Sequence, residues 1–236
     1  MLGPTASGKS EVALRLAESL GGELISVDSM QVYRRMDIGT AKPTLSEQAR
    51  VPHHGIDLVD PGDEFSVADF QAHVRPLLER TDGPVVIAGG SGLHFRALVD
   101  PLHFRPHDGE VRDAVEQLTD SDARRRLLEI DPSAGDHLDI NNPRRVIRAL
   151  EVARLTGETP TARARTPEYQ DLLAYRPRLA FKAVALDPGE LLAGRVEQRL
   201  TSMIAAGLLD EVAELAGVLG RTAGQALGYK ELLPVV

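Results

Sequence analysis

The chain has no cysteine and no tryptophan, and aromatic residues fill only 4% of its 236 positions. The first absence excludes a disulfide framework and any thiolate metal site. Long apolar runs are missing as well. None approaches the ~20 residues that a membrane-spanning helix requires, and the start resembles neither a signal peptide nor a transit peptide. A soluble, cytoplasmic protein without membrane contact is expected, and it is expected to be a monomer. With 42% hydrophobic residues, the chain suits one large core with a smaller appendage.

An excess of positive charge is also lacking. The formal net charge is −8, which on its face argues against a nucleic-acid partner. The average hides an asymmetry. Residues 141–182 hold nine Lys or Arg against four Asp or Glu, a local charge of +5. Of the 27 basic residues 23 are Arg, the side chain best shaped for bidentate phosphate contacts. Codon usage in a GC-rich genome accounts equally well for the Arg bias, but not for the clustering.

Short apolar runs alternate with amphipathic stretches, the pattern of a parallel sheet with crossover helices. "ELISVD" (residues 23–28), "GIDLVD" (55–60), "PVVIAGG" (84–90) and "AFKAVALD" (180–187) read as strands. Functional groups in such sheets collect at the strands' carboxyl ends. Val12, Ala13, Leu16, Ala17 and Leu20 form one face of a helix closed by Gly21 and Gly22. "FSVADF" opens another with Ser66 as N-cap, and Pro76 is expected to kink or shorten it. From residue 106 to residue 176 strand signals vanish and helical patterns take over. These residues are expected to form a helical insertion in a core made of residues 1–105 and 177–236. A helix pair is expected after the last strand.

"GPTASGKS" (residues 3–10) has the form of a phosphate-binding loop. Glycines let the backbone wrap a phosphate, amide N–H groups and the helix N-terminus supply positive potential, Lys9 adds a full charge, and the Ser10 hydroxyl suits Mg²⁺. The loop alone leaves a small-molecule kinase or ATPase open. Such enzymes usually carry a second-strand carboxylate for Mg²⁺, whereas "PVVIAGG" ends in Gly89 and Gly90, followed by Ser91. Asp28 suits that carboxylate or a general base. His53 and His54, with no third ligand in view, read as a structural pair at a strand entry.

"SVDSMQVYRRMDIGTAKPT" (residues 26–44) adds an acid, an amide able to pair with a nucleobase edge, and an aromatic face. With this block in place the sequence resembles the tRNA dimethylallyltransferases, also called tRNA isopentenyltransferases. The resemblance runs the length of the chain through "HHGIDLVDP", "FSVADF", "GGSGLHFRAL", "NNPRRVIRALE", "VEQR" and "LGYKE". It implies a P-loop NTPase-like α/β core, a parallel sheet flanked by helices, with a small helical tRNA-binding insertion at residues 106–176. It also implies transfer of a dimethylallyl group from dimethylallyl diphosphate to N6 of the adenosine 3′ of the anticodon in tRNA, with release of pyrophosphate and with Mg²⁺ as cofactor.

By the same resemblance, Gly3, Pro4, Thr5, Ala6, Ser7, Gly8, Lys9 and Ser10 bind the diphosphate, with Ser10 on the metal. Asp28 is the general base. Ser29, Met30 and Gln31 hold the flipped adenine beside it, Ser91 stands where many members have Thr near the reacting centre, and Arg199 meets the leaving pyrophosphate. Arg112, Asn141, Asn142, Pro143, Arg144 and Arg145 match tRNA-contacting positions, as do Gln225, Ala226, Leu227, Gly228, Tyr229 and Lys230. For Arg112 an ordinary exposed helix arginine is an equal reading. Two departures stand out: only Met1 and Leu2 precede the loop, and members of the family continue well past "LGYKE" into a Trp-bearing helical stretch. A core truncated at both ends is therefore expected.

Overall fold

The computed structural model describes all residues, Met1–Val236. In chain order its main elements are α1 (Lys9–Leu20), β1 (Glu23–Ser26), α2 (Leu45–Gln48), β2 (His53–His54), α3 (Val67–Arg80), β3 (Val85–Ala88) and α4 (Gly92–Val99). An all-helical stretch follows: α5 (Gly109–Glu116), α6 (Asp120–Ile130), α7 (Pro143–Thr156), α8 (Pro160–Ala164) and α9 (Pro167–Leu173). The chain ends with α10 (Leu192–Ala205), α11 (Leu208–Leu215) and α12 (Tyr229–Leu232). Two compact units result, one of Met1–Val99 with Ala180–Val236, the other of Asp100–Leu179. No helix is long and apolar enough to cross a membrane.

The first unit is α/β. Its three strands are parallel, in the order β2-β1-β3, with Leu24 opposite both His53 and Val86. Side chains alternate across the sheet. Leu24, Val86 and Ala88 pack with Ala13, Leu14 and Ala17 of α1. Ile25 and Val27 turn to the opposite face and join a larger core with Phe70, Leu98, Leu208, Val212 and Tyr229. Both faces are thus covered by helices, as a parallel sheet requires.

"ELISVD" and "PVVIAGG" yield β1 and β3, but the other two expected strands differ. The second strand lies just before "GIDLVD", at His53–His54. Gly55 has φ +78°, and a Cβ there would sit 2.5 Å from the Ser26 carbonyl oxygen, so the chain must turn at this point. Residues after the turn bond elsewhere: Asp57 N–H donates to Gln31 and Leu58 N–H to Val32. "AFKAVALD" forms no strand. Its partner is Leu2 alone, which donates to the Val184 oxygen and accepts from Leu186 N–H, both at 3.0 Å. One bridging residue does not make a ladder.

Two helix expectations are corrected in part. In α1 the buried residues are Ala13, Leu14 and Ala17, whereas Val12, Leu16 and Leu20 are exposed. The expected Ala13 and Ala17 do pack on the sheet, their small side chains allowing close approach, and Leu14 joins them in place of Val12, Leu16 and Leu20. Helix α3 is not shortened at Pro76 and runs on to Arg80. Its start is as read, with a reciprocal capping box between Ser66 and Asp69.

The second unit contains only helices, packed around Val115, Leu127, Val146 and Leu150. At its centre the wholly buried Glu151 of α7 accepts from Arg148 at 2.8 Å, pairs with His107 Nδ1 at 2.5 Å and receives the Asp108 N–H at 3.3 Å. Burial alone would raise its pKa, but the Arg148 and His107 hydrogen bonds outweigh that and hold it below the ordinary glutamate value. Glu151→Ala should reduce unfolding free energy by about 3 kcal/mol, the low end for a broken buried ion pair because His107 and Arg148 reach solvent. A folded-state pKa that is depressed gives stability present above the unfolded value of about 4.3 and lost as pH falls through the folded one. Urea titrations of the wild type and Glu151→Gln should therefore show a gap that is constant near neutrality and narrows below about pH 4.3.

Candidate functional site

The loop before α1 is wound as its composition dictates. Ala6 and Gly8 both have positive φ, 58° and 87°, which turns successive amides inward, and Gly8 leads directly into the helix. The first N–H groups of a helix have no partner within it and carry its positive dipole end. The loop is tied to the sheet by Leu2, which bridges Gly89, and by Gly89 N–H, which donates to Met1 at 3.3 Å. Ser7 is buried, and its Oγ has no hydrogen-bond partner.

Three cations surround this loop. Lys9 Nζ donates to the Pro4 oxygen at 3.1 Å. Its pKa is lowered chiefly by burial, with Asp28 opposing and Arg199 adding to the shift. Arg199 of α10 is half-buried and likewise lowered by burial, again opposed by Asp28; a guanidinium stays charged regardless. One helical turn earlier, Arg195 Nη1 donates to the Ser7 oxygen at 3.2 Å. Sequence reasoning missed Arg195, although its spacing of four from Arg199 puts both on one helix face.

Asp28 lies two residues beyond β1. Its Oδ1 accepts from Met30 N–H at 2.9 Å and Gln31 N–H at 3.4 Å, which fixes the carboxylate and leaves Oδ2 to the cavity. Gln31 is buried, with both amide hydrogens engaged: Nε2 donates to the Thr40 and Ala41 oxygens, both at 3.1 Å, and Oε1 accepts from Ser26 Oγ at 2.8 Å. Lys42 is nearly inaccessible, and its Nζ donates to Tyr33, Asp37 and Asp57 within 2.8 Å. All three ammonium hydrogens are thus committed to holding the loop after β1. Ser29 and Met30 flank the carboxylate, and Met30 packs on the main core.

Ser91 follows β3 and donates its N–H to the Val27 oxygen at 3.0 Å. Its hydroxyl is 2.7 Å from His94 Nδ1. His94 is buried edge-on to Phe70, and burial lowers its pKa against the pull of Asp28. The ring is thus held toward its neutral form, and its Nδ1 accepts the Ser91 proton in the tautomer protonated on Nε2. His94 was not among the expected site residues; its i, i+3 spacing from Ser91 at a helix start was the available signal.

Thr5, Lys9, Ser10, Asp28, Gln31 and Arg199 line a cavity of about 160 Å³, with Gly89 and Gly90, just before Ser91, in its wall. A second, of about 520 Å³, lies on the side of Ile38, Thr44, Ser202 and Met203. The two meet at Ala41, Lys42, Pro43 and Arg199. In the segment Gln225–Lys230, Leu227 and Lys230 are exposed while Ala226 and Tyr229 are buried, so the tyrosine supports the segment from beneath.

The remaining expected residues belong to the second unit. Arg112 is paired with Glu116 at 2.7 Å and reaches Glu151 at 3.5 Å. Asn142 caps α7, with Pro143 at its first position, and Asn141, Arg144 and Arg145 are exposed. His53 Nδ1 lies 2.7 Å from the Val51 oxygen, and His54 Nε2 lies 2.7 Å from Glu23.

Comparison with known proteins agrees with this geometry. A family model described as IPP transferase matches residues 31–236, and one described as isopentenyl transferase matches residues 1–53. The chain is 43% identical to the tRNA dimethylallyltransferase of Moorella thermoacetica, across 98% of its own length and 75% of that protein's. Against the tRNA dimethylallyltransferase of Geobacter metallireducens the identity is 42%, across 98% and 77%. Among solved structures it is similar to the full-length tRNA isopentenylpyrophosphate transferase of Bacillus halodurans, at 38% identity and a TM-score of 0.62, covering 98% of this chain and 74% of that one. A eukaryotic dimethylallyltransferase acting on tRNA aligns with a TM-score of 0.77 at 26% identity, covering 99% and 61%. Identity of this extent over nearly the whole sequence, in the same fold, means that the chain belongs to the IPP transferase family, the tRNA dimethylallyltransferases.

Proposed function

We propose that the chain transfers a dimethylallyl group from dimethylallyl diphosphate to N6 of the adenosine 3′ of the anticodon in tRNA, releasing pyrophosphate. The observation that carries this reading is one cavity lined both by Thr5, Lys9 and Ser10 of the loop with Arg199, and by the fixed carboxylate of Asp28. The amides of residues 3–10, Lys9 and Arg199 bind the diphosphate. As the C1–O bond breaks, its electron pair leaves with pyrophosphate, whose charge these donors stabilise. The N6 lone pair forms the new bond to C1, and Asp28 Oδ2 takes the proton that N6 loses. An adenine amine is a weak nucleophile, so a positioned base is needed.

Ser91, held by its hydrogen bond with His94, offers an oxygen to the reacting amine. Ser29, Met30 and Gln31 border the space for an adenine flipped out of its stack. The Ser10 hydroxyl lines the same cavity and suits Mg²⁺, which binds few protein ligands alongside substrate phosphates and water. Bound there, it would offset charge on the leaving group. The tRNA backbone is held by the exposed Arg144 and Arg145 with Asn141, and by Gln225, Leu227, Gly228 and Lys230; Arg112 contributes beside them. The reading carries with it a cytoplasmic location and a monomeric enzyme.

Asp28→Asn preserves size and most hydrogen bonding but removes the proton acceptor. Prenylation of tRNA, followed by mass spectrometry of N6-modified adenosine, should slow by about 10²–10⁴-fold, while binding of both substrates changes little. Near-normal turnover of this variant at high Mg²⁺ would make Asp28 a metal ligand instead.

Arg144→Ala with Arg145→Ala should weaken tRNA binding and reduce the slope of log K against log salt by about one for each phosphate no longer neutralised. Filter binding across a salt series reads this directly. An unchanged slope would take these arginines out of the tRNA interface.

A further inference from the structure

Glu211 of α11 has no part in the chemistry above, yet it makes a concentrated set of hydrogen bonds in the first unit. Its carboxylate accepts the N–H groups of Asp37 at 2.9 Å, Ile38 at 2.8 Å and Gly39 at 3.0 Å. A fourth donor is the hydroxyl of Tyr229. Tyr229 is completely buried, and its pKa is pushed up by burial and by this carboxylate, so the hydroxyl keeps its proton and remains a donor. The packing is close enough to restrict the sequence: a Cβ on Gly39 would lie 2.4 Å from the Tyr229 ring.

The clamped turn leads straight to the acceptor side of the cavity. Residues after Gly39 supply the Thr40 and Ala41 oxygens that take both amide hydrogens of Gln31. With Ser26 on one lone pair of Oε1, the second lone pair of that oxygen is the open valence of the side chain. Gln31 therefore faces the cavity as a hydrogen-bond acceptor, the complement of an exocyclic amine and not of a carbonyl.

We propose that Glu211, braced by Tyr229, is a positioning residue for the acceptor base. By holding the 37–39 turn it fixes the two carbonyls that orient the Gln31 amide, and it ties that orientation to the segment Gln225–Lys230, which exposes Leu227 and Lys230 on its outer side. The assignment of the acceptor rests on the transfer reading given above; the clamp itself does not.

The test has one arm for each. Glu211→Gln puts an NH₂ group against backbone donors and leaves a single acceptor oxygen. Amide hydrogen exchange of the full chain should then accelerate at least about tenfold at Asp37, Ile38 and Gly39 while α1 and β1 stay protected. Retained protection at all three would overturn the clamp whatever the enzyme's activity. In the prenylation assay, kcat/KM for tRNA should fall by about 10–100-fold with the KM for dimethylallyl diphosphate within about twofold of wild type. In a Gln31→Ala background the same change should cost less than about threefold, because its effect runs through Gln31. Full additivity would reduce Glu211 to a structural residue and overturn the positioning role. Should Glu211→Gln not fold, Tyr229→Phe removes only the bracing hydroxyl and should give the same pattern more weakly; its absence there would equally overturn the proposal. A wild-type chain that prenylates no tRNA would count against the transfer reading, with amide exchange still deciding the clamp.

Discussion

The parallel pairing of β1 with β3, carried one residue beyond both strands at Val27, is the interaction on which the site depends. Val27 N–H donates to the Ala88 oxygen at 2.8 Å, and the Val27 oxygen accepts Ser91 N–H at 3.0 Å. A Cβ on Gly89 would lie 2.2 Å from that same oxygen, so only glycine permits this closeness. The next residue after Val27 is Asp28, and the one held by it is Ser91. Because parallel strands end on the same side, both side chains emerge at one edge, where the phosphate loop is already pinned through Leu2 and Gly89.

Electrostatics then sorts the charged residues by role. Lys9, Arg195 and Arg199 surround the loop, where burial lowers the pKa of Lys9 and Arg199 and Asp28 opposes the shift. An anion entering here exchanges water for backbone amides and fixed cations in a site of reduced dielectric. Lys42 lies as near the cavity but is spent on Asp37, Asp57 and Tyr33. The same cation type is thus left open to an incoming anion at one position and is a loop pin at the other. What separates them is the number of fixed acceptors each meets.

Much of this was legible in the residues. Alternation of short apolar runs with amphipathic stretches gave the α/β class, and the loop composition placed the tight turn that leads into α1. The strands that formed are those with a continuous neighbour: β1 lies between β2 and β3. "AFKAVALD" has equal strand character but meets Leu2 alone, and propensity cannot create a ladder partner. Nor could helical periodicity decide whether Leu14 or Val12, Leu16 and Leu20 join Ala13 and Ala17 against the sheet, since the choice depends on how closely the sheet can approach. Arg195 and His94 lay within reach of spacing arguments. Glu211 did not, because it meets the 37–39 turn across more than 170 residues of chain, and no local pattern marks such a pairing.

The central claim is that the phosphate loop holds a leaving group and transfers no phosphoryl group. It is tested most directly by dimethylallyl diphosphate labelled separately in its prenyl and phosphate parts. The account requires prenyl label in tRNA and phosphate label released as intact pyrophosphate, in equal amounts and only when tRNA is present. Steady release of inorganic phosphate from ATP, with no prenyl label reaching tRNA, would contradict it.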